Sequence, residues 1–309
     1  MIQPNFILTE KNIEDFAIKG FVKLKGFLSE KAISQIDKQL DQQLGSNEPT
    51  GWYGDVFNRM KYDLGNNSQD ILDLFQDNAF RSILANLTQH SLLFTQGIGF
   101  ELRKNQDTGL AWHVETVSFS FHQMQDFACT MWIPLTNISN DGQGGGLSYV
   151  PKNVFSGEFI FQYREMLSSY LKNIQKQGKP VTADTASHLK SFIPKSKEMS
   201  SILDDQAVSE DFEVGDIFLF DKFVFHRSCQ LSEGPIDIRR AYAMRFVDYH
   251  SKYDLSRVQT SAFFRELLNY NPSSFALEVC QFDGDAIIDS PLFDETRNKR
   301  VILHERDLA

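Results

Sequence analysis

The 309-residue sequence contains few cysteines, no excess of basic residues and no long apolar run. Its cysteines, Cys129, Cys229 and Cys280, lie far apart without a C-x-x-C spacing, which argues against a disulfide framework and indicates reduced thiols. Lysine and arginine number 31 against 41 aspartates and glutamates, which argues against nucleic acid and anionic membranes as partners. Because the first residues show no apolar signal core either, we expect a cytoplasmic protein.

The composition is otherwise that of a globular protein with a large core, since 41% of the residues are hydrophobic and 23% are charged. No Pro- or Ser-rich linker and no internal repeat divides the sequence, which favours one elaborated domain over residues 1–309. Residues 156–205 are polar and helix-prone. We predict that they form a helical insertion that acts as a lid over a ligand pocket.

The N-terminal part of the sequence predicts a helix, a strand and a second helix. Thr9 precedes a first turn with acidic residues, residues 20–26 alternate between apolar and polar, and residues 29–44 have isoleucine and leucine at helical spacing. After an irregular aromatic stretch over residues 51–63, a third amphipathic helix is predicted over residues 68–86.

The rest of the sequence predicts short strands rich in aromatic and β-branched residues, as in a β-sandwich or barrel. The predicted strands are 93–103, 111–121, 127–135, 146–151, 213–226 and 238–249. The run Gly142–Gly146 lies between two of them and lacks the Lys-Ser/Thr of a phosphate-binding loop, which favours a hairpin turn with positive φ. The residues after Ser251 are mixed in character, and we expect them to pack around the barrel.

Two of the seven histidines stand out through the residues around them. His113 and Glu115 are two apart on a predicted strand, so both side chains leave the same face. His226 ends another predicted strand. Two imidazoles and one carboxylate form a facial triad that leaves positions on Fe(II) open for a chelating cosubstrate and O₂. A His-x-Glu pair also arises by chance on exposed strand faces, so the pair alone does not establish a metal site.

Two arginines begin the last long strand. Arg239 shares a face with Ala241 and Ala243, whose small side chains leave space for a carboxylate to form two parallel hydrogen bonds with the guanidinium. Arg240 points to the other face, and we expect it to be a surface charge. Arg245 lies on the Arg239 face, but six residues at ~3.3 Å each place it too far away to bind the same small ligand.

Several further side chains are candidates for contact with bound ligands. We predict that Phe121 and Trp132 form walls of the cofactor pocket, although aromatic residues near a strand more often pack in the core. His122 is expected to be an ordinary hydrogen-bonded or exposed histidine. Tyr163 and Arg164 could contact substrate from the insertion, although a solvated helix face is the commoner position for each.

Taken together, these segments resemble the phytanoyl-CoA dioxygenase superfamily of Fe(II)- and 2-oxoglutarate-dependent oxygenases over most of the chain. The opening LTEKNIEDFAIKGFVKLKGFLSEKAISQI resembles the family's N-terminal helix–strand–helix, and WHVET its His-x-Asp/Glu motif. MWIPLTNISNDGQGGGLSYVPKN resembles its strand, glycine turn and strand, with Pro-Lys-Asn where the family has Pro-Gly-Ser-His. WHVETVSFSF also resembles the active-site strand of a bacterial subgroup that contains hydroxylases of N-acylated amino acids and aliphatic halogenases of indole alkaloids.

The resemblance implies a jelly roll of the double-stranded β-helix (cupin-like) type with surrounding α-helices. It implies that His113, Glu115 and His226 bind Fe(II), and that Arg239 binds the tail carboxylate of 2-oxoglutarate. The implied reaction uses O₂ to oxidise an unactivated C–H bond of a small molecule, such as an amino-acid derivative or alkaloid. A halogenase of the same fold and a non-catalytic jelly-roll ligand-binding protein are the alternatives. Halogenases of the subgroup have glycine at the Glu115 position, so its carboxylate favours hydroxylation or a related oxidation such as desaturation.

Overall fold

The N-terminal segment has the predicted order of helix, strand and helix. The computed structural model describes residues 1–45, 56–191, 196–269 and 273–307. The segment consists of α1 (Glu10–Lys19), β1 (Phe21–Leu24) and α2 (Glu30–Gln43). Thr9 and Ser29 cap the two helices, because the side-chain oxygen of each accepts a hydrogen bond from a backbone N–H in the first turn.

The helix predicted over residues 68–86 is divided in two. α3 (Gln69–Leu72) continues into a 3-10 turn, and α4 (Asn78–Thr88) begins after Asp77. The Asp77 carboxylate accepts a hydrogen bond from the backbone N–H of Phe80 at 2.9 Å and pairs with the amino group of Met1 at 2.6 Å. This cap starts a new helix, so the prediction of one continuous helix is wrong.

Seven described strands form the larger of two antiparallel sheets. They are β1, β2 (Arg59–Tyr62), β3 (Leu92–Arg103), β4 (Ala128–Pro134), β7 (Ile217–Asp221), β9 (Ile238–Asp248) and β10 (Val301–Ile302). Their order is β1–β7–β4–β9–β3–β10, with β2 beside β3. The stretch over residues 51–63, predicted to be irregular, contains the strand β2, so that part of the prediction is wrong. Residues 51–55 of the stretch lie outside the described ranges. β10 shows that the C-terminal tail also contributes a strand to the barrel.

The smaller sheet faces the larger one and completes the jelly roll. It contains β5 (Leu147–Val150), β6 (Val208–Ser209) and β8 (Phe225–Ser228) in the order β6–β5–β8. Two antiparallel sheets with helices around them confirm the predicted fold class. Gly144 and Gly145, at φ 76° and 86°, confirm a turn with positive φ. The turn connects strands of different sheets, so the prediction of a hairpin is wrong.

The strand predicted over residues 111–121 is wrong beyond its first residues. His113 forms an isolated bridge to His226, with reciprocal backbone hydrogen bonds of 3.0 Å. After the bridge, the N–H of Thr116 donates to the carbonyl of Val114 at 2.7 Å, and the N–H of Phe119 donates to the carbonyl of Glu115 at 3.1 Å. These local bonds occupy the groups that a sheet would pair, so residues 116–121 form turns.

The predicted insertion at residues 156–205 is helical. It contains α5 (Glu158–Lys176), α6 (Ala183–Ser191) and α7 (Lys197–Gln206). α5 and α7 pack against the bridge region, where Phe161 and Leu203 share an apolar cluster with Trp112 and Phe225. α8 (Leu255–Leu267) packs against α5, and α9 (Phe275–Glu278) follows. Within the described ranges, no helix combines the length and apolar character that crossing a bilayer requires.

Candidate metal and cosubstrate site

The three predicted metal ligands meet at the bridge between residues 113 and 226. The rings of His113 and His226 lie with their centroids 4.1 Å apart. Oε1 of Glu115 lies 3.7 Å from Nε2 of His226. Glu115 and His226 are buried, and His113 is partly exposed. The fold therefore brings together side chains from the segment after β3 and from β8, which are far apart in sequence.

Backbone carbonyls fix the protonation of both imidazole rings. Nδ1 of His113 lies 2.7 Å from the carbonyl of Ala111, and Nδ1 of His226 lies 3.0 Å from the carbonyl of Val224. A carbonyl only accepts, so each Nδ1 carries the proton and each Nε2 keeps a lone pair. An imidazole that binds a metal through Nε2 is held by this same outer hydrogen bond.

The charges at the site also suit a divalent cation. Burial lowers the pKa of His113 to about 3 and lowers the pKa of His226, so both rings are neutral at physiological pH. Burial raises the pKa of Glu115, but the charge of Arg245 and the hydrogen bond from Ser118 oppose that effect, and the pKa is lowered overall. The trio therefore consists of two neutral nitrogen donors and one carboxylate, the ligand state that metal binding requires.

In the described part of the chain, no group of three His, Cys, Asp or Glu side chains is arranged to hold a metal ion as it stands. The three side chains nevertheless lie close together, with the two ring centroids 4.1 Å apart and Oε1 of Glu115 3.7 Å from Nε2 of His226. The donor set, two imidazoles and one carboxylate, fits non-haem Fe(II).

Two side chains beside Glu115 were not identified as site residues from the sequence. Nη2 of Arg245 lies 3.5 Å from Oε2 of Glu115, and the Thr130 hydroxyl lies 3.5 Å from Oε1. Nη1 of Arg245 donates to Oε1 of Gln96 at 2.6 Å, which fixes the guanidinium. The carboxylate is thus held on both sides. Alternation along β9 places Arg245 on the inner face, but only the register with β4, where it pairs with Thr130, places it beside Glu115.

Arg239 lies inside the barrel, and no described residue forms an ion pair with it. Its side chain is 0% exposed, and none of its three guanidinium nitrogens has a hydrogen-bond partner in the described residues. The guanidinium carbon lies 5.8 Å from the ring centre of Trp132 and 5.4 Å from that of Phe100. Burial lowers the pKa of Arg239 to about 9, so the group is still a cation at neutral pH. A buried cation of this kind needs an anionic partner.

Arg240 faces the opposite side of the sheet, as the alternation predicts. Its guanidinium lies 2.8 Å from Asp37 and 2.6 Å from Asp41, both on α2. A third carboxylate, that of Glu101, lies 3.5 Å from Nε. Arg240 is therefore an ion-paired residue of the outer face, and only its neighbour Arg239 reaches the interior.

A short length of β4 connects the trio to Arg239. Thr130 contacts Glu115, and Trp132, two residues further along, contacts Arg239. Residues two apart on a strand share a face and lie ~7 Å from each other. The intervening wall is aromatic, since Phe220 pairs with Thr130 in the sheet and its ring lies 4.5 Å from that of His226. Arg239 and the trio therefore both contact the same face of β4.

The other residues considered for ligand contact lie in different parts of the structure. Trp132 lies beside Arg239, whereas Phe121 packs in a separate apolar cluster, with its ring 5.1 Å from that of Phe275. His122 is fully buried and neither ring nitrogen has a hydrogen-bond partner in the described ranges, so the expectation of a hydrogen-bonded or exposed histidine is wrong. Tyr163 donates to the carbonyl of Leu189 within the insertion.

Comparison with known proteins gives one family and several related folds. The family model described as phytanoyl-CoA dioxygenase matches residues 16–241. No curated protein sequence matches the chain. The carbocyclase SnoK from nogalamycin biosynthesis superposes with a TM-score of 0.56 at 14% identity, covering 81% of this chain and 89% of SnoK. The epimerase SnoN, in complex with Fe³⁺, α-ketoglutarate and nogalamycin RO, gives 0.57 at 14% identity, covering 90% and 94%. EctD from S. alaskensis with bound Fe gives 0.55 at 13% identity, covering 82% of each chain.

Proposed function

The chain belongs to the phytanoyl-CoA dioxygenase family, and from this premise we propose that it is an oxygenase that hydroxylates, or otherwise oxidises, an unactivated C–H bond of a small organic molecule. It uses Fe(II), 2-oxoglutarate and O₂. His113, Glu115 and His226 hold the iron, and Arg239 binds the distal carboxylate of 2-oxoglutarate.

One observation carries this assignment: the buried guanidinium of Arg239 has no hydrogen-bond partner in the part of the chain that the structure describes. An unpaired cation in an apolar interior is costly, and a carboxylate that forms two parallel hydrogen bonds with it offsets that cost. Arg239 lies beside Trp132, which shares a face of β4 with Thr130, the residue beside Glu115. A non-catalytic ligand-binding jelly roll would not require both a buried cation and a neutral-histidine metal set.

Some residues would bind the iron and 2-oxoglutarate, and others orient the side chains that bind them. Iron, with 2-oxoglutarate and O₂, supplies oxidation of the C–H bond and releases succinate and CO₂. The carbonyls of Ala111 and Val224 orient the two imidazoles, and Arg245 and Thr130 orient the Glu115 carboxylate. The aromatic rings between the two ends exclude water from the pocket and strengthen the contact between Arg239 and a carboxylate.

Glu115 favours hydroxylation over the halogenase alternative. Its carboxylate occupies the place that a halide would need, and a second anion so close to it would be repelled. Arg245 already has Glu115 as its anionic partner and therefore does not favour halide binding. We assign hydroxylation or desaturation as the outcome for this chain.

The test is oxygen-dependent formation of succinate from 2-oxoglutarate after anaerobic loading with Fe(II). We expect succinate from the wild-type protein and none from His226→Ala. His250→Ala is the matched control, because this exposed histidine pairs with Asp307 and does not contact the trio. The proposal would be contradicted if His226→Ala still formed succinate. It would also be contradicted if the metal-loaded wild type neither bound 2-oxoglutarate nor formed succinate.

A further inference from the structure

Opposite Arg245, the long strand β3 contains a β-bulge. In its pairing with β9, Phe94 is opposite Phe246. The next pair along the ladder is Gln96 with Arg245, so Thr95 is an extra residue without an opposite partner. Residues two apart on a regular strand share a face, but Phe94 packs with Phe246 in an apolar cluster whereas Gln96 contacts Arg245. The extra residue therefore turns Gln96 to the face that carries Arg245.

Gln96 uses both ends of its side-chain amide. Oε1 accepts a hydrogen bond from Nη1 of Arg245 at 2.6 Å. Nε2 donates to Oδ1 of Asp63 at 2.7 Å and to the hydroxyl of Ser273 at 3.0 Å. The side chain is 4% exposed. Because an amide oxygen only accepts and an amide nitrogen only donates, the guanidinium at one end and the carboxylate at the other select one orientation of the amide.

Asp63 holds the outer end of this chain of contacts. It follows β2 and has a left-handed backbone, with φ 60°. Few residues other than glycine adopt this conformation, and aspartate is among those that do so most readily. Oδ2 of Asp63 accepts a hydrogen bond from the hydroxyl of Ser273 at 2.7 Å. Asp63 is exposed, so the contacts that begin at Glu115 end at the surface of the protein.

The position of Arg245 determines the surroundings of the Glu115 carboxylate. Nη2 of Arg245 lies 3.5 Å from Oε2 of Glu115, while Oε1 of Glu115 lies 3.7 Å from Nε2 of His226. An arginine side chain has many rotamers, so a single position requires contacts that hold it there. The short hydrogen bond from the guanidinium to Gln96 is of the strong, charge-assisted kind. It holds the guanidinium beside Oε2 and leaves Oε1 directed toward the histidines.

We propose that Gln96 is a positioning residue of the metal site, which acts on the Glu115 carboxylate through Arg245. The inference rests on the proposed oxygenase function, in which Glu115 is a ligand of the metal. The bulge at Thr95 is the feature of the fold that places Gln96 there, and β-bulges commonly redirect a side chain next to an active site.

The test is binding of Co(II) to the whole protein, measured by competition with a chelator and by the visible absorption of the bound ion, which depends on its coordination geometry. Gln96→Leu removes both hydrogen-bonding ends of the amide with little change in volume. We expect the affinity for Co(II) to fall about fivefold, as for the loss of one hydrogen bond that supports binding, and the absorption spectrum to change.

Gln39→Leu is the matched control. Gln39 is a buried glutamine of α2 whose amide donates to Asp70 at 3.0 Å, and it does not contact the trio. The control variant should lose a similar amount of stability in thermal unfolding, but it should bind Co(II) with the affinity and the spectrum of the wild type.

A double variant tests whether Gln96 acts through Arg245. Arg245→Gln and the double variant Gln96→Leu/Arg245→Gln should bind Co(II) equally, because the second change has no guanidinium left to act on. Asp63→Gly keeps the positive φ, which glycine adopts freely, and removes the carboxylate that anchors the amide. It should lower the affinity for Co(II) about threefold, and it provides the test if Gln96→Leu does not fold.

The proposal is overturned if Gln96→Leu, or Asp63→Gly where Gln96→Leu does not fold, binds Co(II) as the wild type does. It is also overturned if Gln39→Leu weakens binding equally, or if the double variant binds more weakly than Arg245→Gln by the factor seen for Gln96→Leu alone. Failure of the oxygenase function is seen separately, because the wild type itself would then bind Co(II) no more tightly than His226→Ala or would form no succinate from 2-oxoglutarate.

Discussion

Substitution of Arg239 by methionine tests the charge that defines the cosubstrate pocket. Each hydrogen bond to a charged group contributes about 1.5–3 kcal/mol, so loss of two costs about 3 kcal/mol or more. Since about 1.4 kcal/mol corresponds to a tenfold change, the Kd for 2-oxoglutarate should rise at least about 100-fold. The protein without ligand should not be destabilised, because the guanidinium has no hydrogen-bond partner to lose among the described residues.

Thermal unfolding with Mn(II) measures both effects in one assay. At a concentration of about 100 times the wild-type Kd, 2-oxoglutarate stabilises the wild-type protein by about 2.7 kcal/mol. If the Kd of Arg239→Met is 100-fold weaker, the same concentration stabilises it by only about 0.4 kcal/mol. The Tm increase of the wild type, several degrees, should therefore nearly disappear in the variant.

Arg240→Met is the matched control. It removes the ion pairs with Asp37 and Asp41 on the outer face and should lower Tm slightly, because such partly exposed pairs contribute about 1 kcal/mol or less. Its response to 2-oxoglutarate should equal that of the wild type. The reasoning is refuted if Arg239→Met keeps the wild-type Tm response, or if Arg240→Met loses it and Arg239→Met does not.

Further variants address the metal, its outer contacts, the reaction outcome and the insertion. His113→Ala or His226→Ala should abolish Fe(II)-dependent binding of 2-oxoglutarate in calorimetry with an unchanged circular dichroism spectrum; wild-type binding would remove that histidine from the metal site. Arg245→Gln should weaken Fe(II) binding about tenfold in competition with a chelator, and unchanged affinity would contradict its orienting role. Glu115→Gly should give halogenated product by mass spectrometry in bromide buffer, whereas halogenation by the wild type would overturn our assignment. Exchange of residues 156–205 should change substrate preference before it changes substrate-free succinate formation; an unchanged preference in a folded variant would count against the lid.

Strand alternation predicted the orientation of β9 correctly. Small residues share a face of the strand with Arg239, and bulky residues share the other face with Arg240. This pattern predicts that Arg239 points into the barrel and Arg240 to its outer face, and the structure confirms both orientations. The alternation works because β9 is paired on both sides, with β3 and β4, over most of its length. Along such a strand the side-chain direction follows from the residue number alone.

Strand alternation does not predict the side-chain directions of residues 116–121. Phe121 and Trp132 are both aromatic and close in sequence to predicted metal ligands, but Trp132 lies on β4 and Phe121 lies in the turns after Glu115. In a turn the side-chain direction depends on local hydrogen bonds, which sequence periodicity does not report. The burial of His122, which follows these turns, is not predictable from the sequence for the same reason. The packing of α8 and α9 against these turns involves distant parts of the chain and was also not predictable.

The buried charges explain why Glu115 and Arg245 belong together at the metal end. In the proposed complex, one carboxylate of 2-oxoglutarate would neutralise Arg239, while the other and Glu115 would together face the charges of Fe(II) and of Arg245, which lies 3.5 Å from Glu115. Removing the Glu115 carboxylate would leave Arg245 and the iron short of one negative charge in a low-dielectric pocket, where an unbalanced charge is costly. A halide restores that balance, whereas water does not. The arginine that orients the carboxylate in the wild type is therefore the residue that should attract halide once the carboxylate is gone.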